Sequence, residues 1–126
     1  MIIEHVKTVL AQQKRVYVEY DQRAGYERAG FVWLQGFNDL VDRQTYPKGN
    51  ESGGYNEYSQ LLAHLIRDIR KDLSARKMPF VIGVMGVGGL EANPGMRNFR
   101  EAMTAPSLMP EFKGNVFAVP TAPFVP

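Results

Sequence analysis

The stretch MPFVIGVMGVGG, residues 78–89, decides the fold class of this chain. It contains a proline, then a continuous apolar run over residues 80–85, and then a loop rich in glycine. An apolar run of this length between turn residues is typical of a strand that is buried on both faces of a parallel sheet. We therefore predict a central strand at residues 80–85.

The segments before this strand predict two helices and a first strand. Residues 2–13 carry apolar side chains at helical spacing, and residues 31–35, FVWLQ, predict a short buried strand. Residues 55–77 predict a long helix whose charged side chains, such as Arg67 and Arg70, lie mostly on the solvent side. The apolar stripe of this helix contains Tyr58, Leu61, Leu62, Leu65, Ile66, Ile69 and Leu73.

The segments after the central strand predict one more helix and one more strand. Residues 93–106 have a helical pattern, and we expect this helix to end before Pro106, because proline disrupts a helix interior. Its inward positions are Met96, Phe99 and Met103. Residues 116–119 predict the last strand, and a proline-rich segment follows.

The order of these elements predicts an α/β fold in a single domain, residues 1–126. Helix and strand alternate three times, and each connection between strands is long enough to return the chain in the same direction. Such connections produce a parallel sheet with helices packed on it.

Composition excludes several classes of function. The chain has 126 residues, 44% of them hydrophobic, and no cysteine, which suits a globular core and excludes a disulfide framework, a thiolate metal site and a cysteine nucleophile. Lys and Arg outnumber Asp and Glu by 15 to 13 without a basic block, so we expect no nucleic-acid partner. No apolar stretch is long enough to span a membrane and no signal-peptide pattern is present, so we expect no membrane partner and leave the localisation open.

Polar residues follow the first predicted strand, where parallel sheets hold their ligands. Gln35, Gly36, Asn38 and Asp39 come directly after the apolar run. Ligand sites of open α/β sheets lie beyond the carboxyl ends of the strands. There a side-chain amide can donate to a developing oxyanion, and a glycine lets a substrate approach the backbone. The alternative is a turn that Asn and Asp merely stabilise.

Other polar patterns predict no complete catalytic group. The glycines of the loop after the central strand fit neither G-x-G-x-x-G nor G-x-x-x-x-G-K-[ST], so they do not predict a nucleotide site. His5 and His64 lie far apart on predicted helices without carboxylates at metal-binding spacing, so we expect packed or half-exposed histidines and no metal. None of the four serines occupies a G-x-S-x-G elbow: Ser52, Ser59, Ser74 and Ser107.

Four blocks of the chain resemble successive blocks of a known enzyme domain. They are GFVWLQGFNDL, YSQLLAHLIRDIRKDL, MPFVIGVMG and MPEFKGNVFAV. In order and spacing they resemble the sialate O-acetylesterase-like domain, a branch of the SGNH (GDSL-type) hydrolases related to family 6 carbohydrate esterases. The resemblance covers nearly the whole chain. It implies a three-layer, flavodoxin-like parallel sheet, here an incomplete version with about three strands.

The resemblance also implies roles for the residues after the first strand. Gln35 and Gly36 match the oxyanion-hole turn of the family, with Asn38 beside them, and Asp39 matches a residue that supports the loop. Phe37 occupies the position of the family's glutamate, so a function that needs that carboxylate does not carry over. The implied reaction is hydrolysis of an acetyl ester through an acyl-enzyme, without a cofactor. The implied substrate is an acetylated carbohydrate or another small ester.

Two family blocks are missing from the 126 residues. Neither the G-Q-S-N-like block that carries the nucleophilic serine nor the later block with Asp and His is present. We therefore expect the central segment of a larger esterase domain, with no catalytic residue of its own and an uncovered sheet that promotes a homo-oligomer. The alternative is a catalytically inactive α/β binding or structural module that self-associates.

Overall fold

The computed structural model describes residues 2–16, 23, 25 and 27–125. The described helices are α1 (Ile2–Ala11), α2 (Gln13–Val16), α3 (Phe37–Val41), α4 (Asn56–Asp72) and α5 (Pro94–Leu108). The strands are β1 (Phe31–Trp33), β2 (Phe80–Val84) and β3 (Val116–Pro120). Three short 3₁₀ helices follow β2, α5 and β3, at Gly89–Glu91, Pro110–Phe112 and Ala122–Phe124.

The three strands form one parallel sheet in the order β1-β2-β3. Phe31 of β1 aligns with Phe80 of β2, which aligns with Val116 of β3. This confirms the predicted α/β fold, and the arrangement is consistent with an incomplete SGNH-like fold. No helix in the described part of the chain is long and apolar enough to cross a membrane.

One face of the sheet forms the hydrophobic core. Phe80, Ile82 and Val84 point into it and are buried, and the ring of Phe31 stacks on that of Phe80 with 5.1 Å between centroids. Helix α5 packs on β2 and β3 and also on α4. The inward positions predicted for α5 lie in this core, and Phe99 is among its most buried side chains.

The opposite face of the sheet is exposed in the described part of the chain. We call it the outer face; it consists of Val32, Leu34, Phe117 and Val119, with exposed fractions of 61%, 72%, 47% and 47%. The alternate residues of β2, Val81 and Gly83, are half-buried. The two-sided burial predicted for the central strand is therefore only partly realised.

Helix α4 confirms the predicted long helix but differs from it on the charged side. Its last residue is Asp72, and Ser74 just beyond it has a left-handed φ of 51°. A left-handed residue commonly terminates a helix, because helical hydrogen bonding cannot continue through it. Arg70, predicted with the solvent-facing charges, is instead buried, with an exposed fraction of 6%. Its guanidinium turns inward and donates hydrogen bonds to the backbone carbonyl oxygens of Met78 and Asn115, which the helical pattern cannot reveal.

Helix α5 does not end before Pro106, and that prediction is wrong. It continues to Leu108 with Pro106 in its interior. Proline lacks the N–H that would donate to the carbonyl four residues earlier, that of Ala102. The hydroxyl of Ser59 on α4 donates to that carbonyl instead, at 2.6 Å. A neighbouring helix thus supplies the missing donor, so the helix need not stop.

Candidate functional site

The carboxyl ends of β1 and β2 border a cavity of about 330 Å³. All four residues predicted after β1 line it: Gln35, Gly36, Asn38 and Asp39. Leu34, Phe37 and Met85 complete the lining. The structure therefore brings the predicted site residues together, with Gln35 and Gly36 on the turn before α3 and Asn38 and Asp39 in the first turn of α3.

Gly36 is held in a position that a larger residue could not take. Its φ is 155°, and a Cβ atom there would lie 2.8 Å from the ring atom Cε1 of Phe99. Its carbonyl oxygen accepts a hydrogen bond of 2.9 Å from the backbone N–H of Leu40, in the first turn of α3. The turn is thus packed directly on the core helix α5.

The backbone carbonyl of Gln35 ends a chain of two hydrogen bonds from aromatic side chains. The hydroxyl of Tyr58 donates to the carbonyl oxygen of Gln35 at 3.2 Å, and it accepts a hydrogen bond of 3.3 Å from Nε1 of Trp33. The side chain of Gln35 is exposed, and the residue lines the cavity. The sequence pattern places Tyr58 in the apolar stripe of the long helix and does not predict this contact. Its hydroxyl group was the one feature that could have indicated a polar role.

Asp39 is half-buried between two cavities. It lines the site just described and a second cavity of about 320 Å³ that Trp33, Tyr46 and Tyr58 also border. Desolvation raises the pKa of Asp39, a hydrogen bond from its own backbone N–H opposes this, and the charge of Asp42 adds to the rise. The carboxyl group is therefore easier to protonate than an ordinary aspartate.

Asp42 makes the loop-supporting hydrogen bonds that are visible in this region. Its Oδ1 accepts from the backbone N–H groups of Gln44 and Thr45 at 3.0 and 3.1 Å, and its Oδ2 accepts from the hydroxyl of Thr45 at 2.6 Å. These bonds lower the pKa of Asp42. The support role of Asp39 stays a prediction.

The glycine loop after β2 is tied to α5 and to the end of β3. Arg100 donates to the carbonyl oxygens of Met85 and Val87 at 2.9 and 2.7 Å. The hydroxyl of Thr121 donates to the carbonyl oxygen of Val84 at 2.7 Å, and a Cβ on Gly86 would lie 2.8 Å from that hydroxyl oxygen. Arg100 is a second residue that sequence reasoning missed.

The histidines and serines of the described part of the chain do not line this cavity. His5 and His64 are exposed, and Nδ1 of His64 faces the guanidinium of Arg67 at 3.2 Å. Ser59 is buried against Ala102. No cluster of three or more side chains that could hold a metal ion occurs among the described residues. The cavity at the ends of β1 and β2 offers two side-chain amides, a glycine backbone and a half-buried carboxyl group.

One of three comparisons with known proteins gives a match. Searches of curated proteins and of solved structures give no match. The model of one protein family, described as carbohydrate esterase, sialic acid-specific acetylesterase, matches residues 6–121. This match covers most of the chain and confirms the resemblance carried by the four sequence blocks. The chain belongs to the sialic acid-specific acetylesterase family of carbohydrate esterases.

Proposed function

We propose that this chain provides the oxyanion-binding part of a carbohydrate O-acetylesterase. The observation that carries the proposal is the turn after β1, where Gln35 and Gly36 border a cavity and the Gln35 backbone is fixed by Tyr58. A fixed backbone limits how far the donors of the turn, the side-chain amide of Gln35 and the N–H of Gly36, must reorganise as negative charge develops. Family membership supports acetyl ester hydrolysis as the reaction.

In the proposed reaction a serine oxygen attacks the acetyl carbonyl, and a histidine takes the serine proton. The negative charge that develops on the carbonyl oxygen is stabilised by the amide of Gln35 and the backbone at Gly36. The histidine then protonates the departing sugar oxygen, and water releases acetate from the acyl-serine. The serine and histidine are to come from family blocks that the 126 residues do not contain.

The remaining cavity residues are proposed to shape and support the site. Asn38 offers a polar group beside the oxyanion turn, and Asp39 supports the loop. Phe37 is 53% exposed at the cavity, where an aromatic ring suits an acetyl group or the apolar face of a sugar better than a carboxylate would. The proposed substrate is an acetylated carbohydrate or another small ester.

The test is Gln35→Ala in the whole gene product, with Gln60→Ala on the exposed side of α4 as the control. We expect Gln35→Ala to lower turnover of an acetylated sugar by roughly 10²-fold to 10³-fold, with the melting temperature nearly unchanged. Gln60→Ala should change neither quantity. A large loss of stability with intact turnover per folded molecule would contradict the oxyanion role.

A second candidate is a catalytically inactive α/β module that self-associates. The observation that favours it is the outer face, where four apolar side chains are exposed. An apolar patch of this kind commonly marks an interaction surface. The gene sequence separates the two candidates: a G-Q-S-N-like block in the same reading frame favours the esterase, and acetyl ester hydrolysis by the gene product confirms it.

A further inference from the structure

A third cavity, which we call the basic cleft, lies at the opposite end of the sheet from the candidate esterase site. It has a volume of about 700 Å³, and four basic side chains line it: Arg67, Arg70, Lys71 and Arg76. Arg70 donates to the carbonyl oxygens of Met78 and Asn115, which precede β2 and β3. Strand β2 has five residues. At ~3.3 Å per residue, the two sites are therefore roughly 16 Å apart or more.

The cleft has more positive than negative charge. Glu111 is the acidic residue of its lining, and both of its carboxylate oxygens bind the guanidinium of Arg67. The neighbouring acidic residues of α4, Asp68 and Asp72, do not line the cleft. The lining therefore carries four cationic groups against one carboxylate.

Arg70 is the most unusual of these cations because it is buried. Its hydrogen bonds, at 2.8 to 3.1 Å, run to the neutral carbonyl oxygens of Met78 and Asn115. Burial lowers the pKa of Arg70, and the charge of Glu111 only opposes this. A buried charge is costly unless an opposite charge compensates it. Glu111 is already paired with Arg67, so an anion in the cleft would provide that compensation.

The ring of Phe112 restricts two cationic groups of the cleft, and Ser74 adds a hydroxyl group to the lining. The guanidinium carbons of Arg67 and Arg70 lie 5.4 and 5.6 Å from the ring centre of Phe112, which restricts both planar groups. Ser74 lines the cleft with a φ of 51°, a backbone conformation in which glycine is the usual residue. A serine there keeps a hydroxyl group at the cleft at some cost in backbone strain.

We propose that this cleft binds an oxyanion of the phosphate class, held by hydrogen bonds from Lys71, Arg76 and Ser74 and attracted by the buried charge of Arg70. The guanidinium of Arg76 suits a tetrahedral oxyanion because its parallel N–H groups can bind two oxygens at once. This site is separate from the esterase site and does not depend on the function proposed for it.

Inorganic phosphate is the probe, titrated by calorimetry at constant ionic strength with chloride as the balancing anion. We expect a saturable heat for the unaltered chain. The double variant Lys71→Gln/Arg76→Gln should bind phosphate on the order of 10-fold to 100-fold more weakly, since each lost charged hydrogen bond costs about a factor of ten. The control Lys7→Gln/Lys48→Gln removes the same charge from exposed positions outside the cleft and should bind like the unaltered chain. Equal affinities in the two double variants, or no saturable heat in the unaltered chain, would overturn the proposal.

Ser74→Gly separates binding from a purely structural role at the end of α4. Without phosphate we expect a higher melting temperature, because glycine relieves the left-handed strain. With phosphate we expect an affinity several-fold lower than that of the unaltered chain, since the hydroxyl donor is lost. A higher melting temperature with unchanged affinity would overturn the part assigned to Ser74.

A phosphate group can come from a soluble molecule or from a lipid headgroup. Vesicles of phosphatidylcholine with and without phosphatidic acid distinguish these sources by co-sedimentation. Binding that needs phosphatidic acid and is lost in Lys71→Gln/Arg76→Gln identifies a headgroup site. Phosphate binding without vesicle binding identifies a soluble ligand, and the absence of both overturns the site.

Discussion

The hydroxyl of Ser59 on α4 donates a hydrogen bond of 2.6 Å to the carbonyl oxygen of Ala102 on α5. In an uninterrupted helix this carbonyl would accept from the N–H of residue 106, which is a proline here. Both groups of the bond are buried. The contact therefore repairs α5 and joins it to α4 over the core.

Ser59→Ala should leave the carbonyl of Ala102 buried without a donor. We expect a loss of about 1–3 kcal/mol in the free energy of unfolding, measured by urea denaturation. The control is Ser107→Ala, whose half-buried hydroxyl donates within α5 to Thr104 at 2.6 Å and should cost less. In a Pro106→Ala background the backbone N–H returns, so Ser59→Ala should cost about 1 kcal/mol less there. Additive effects of the two changes would contradict the repair by Ser59.

Gly36→Ala should destabilise the fold through a clash with the core. The new methyl group would lie 2.8 to 2.9 Å from ring atoms of Phe99, and either the turn or the ring must move. We expect a loss of about 1–3 kcal/mol in the free energy of unfolding. Gly114→Ala is the control, because Gly114 also has a positive φ, of 86°, but no atom within 4 Å of the added methyl. Equal losses at the two positions would mean that backbone strain, and not the contact with Phe99, fixes Gly36.

Alkaline pH should destabilise the protein through Tyr46. Burial raises the pKa of Tyr46 from 10.0 to about 12, with smaller contributions from Asp39 and other acidic groups nearby. The unfolded tyrosine loses its proton first, so stability is full below pH 10 and falls as the pH approaches 12. We expect a loss on the order of 2–3 kcal/mol in the free energy of unfolding across this interval. Tyr46→Phe should reduce this loss, measured by urea denaturation at several pH values, and an unchanged pH dependence would contradict the assignment.

The outer face should drive association of the isolated chain. We expect light scattering to show a dimer or a larger species, because exposed apolar side chains on an open sheet favour pairing between chains. Leu34→Lys/Phe117→Lys should shift the protein toward the monomer. Leu90→Lys/Leu108→Lys changes two exposed leucines off this face and should leave the association unchanged. A monomer at all concentrations of the unaltered chain would count against this surface.

The isolated 126-residue chain should have little or no serine-dependent esterase activity. No serine of the described residues lines the cavity at Gln35, and an oxyanion site without a nucleophile leaves only residual catalysis. Hydrolysis of a nitrophenyl acetate and of an acetylated sugar, with and without a serine-directed phosphonate, provides the measurement. Saturable hydrolysis that the phosphonate abolishes would require a nucleophile among Ser52, Ser59, Ser74 and Ser107.

The local pattern of the sequence was sufficient for the three strands, for the existence of α1, α4 and α5, and for the position of the candidate site. Strand β2 was predicted from the apolar run at residues 80–85, and α4 from the helical stripe that includes Ile66. Both patterns involve residues close together in sequence, so they can be read before the fold is known. The same is true of Gln35 and Gly36, because a turn that follows a parallel strand lies at the ligand edge of the sheet whatever the other elements do.

Only the tertiary structure decided what these side chains contact. Pro106 stays inside a helix because Ser59, 47 positions earlier in the sequence numbering, provides a donor for Ala102. Arg70, charged and at a position predicted for solvent, is buried because carbonyl oxygens at the starts of two strands accept its hydrogen bonds. The Tyr58 hydroxyl reaches Gln35 for a similar reason. Such contacts join residues far apart in sequence, so local periodicity, which sets the helices and strands, carries no information about them.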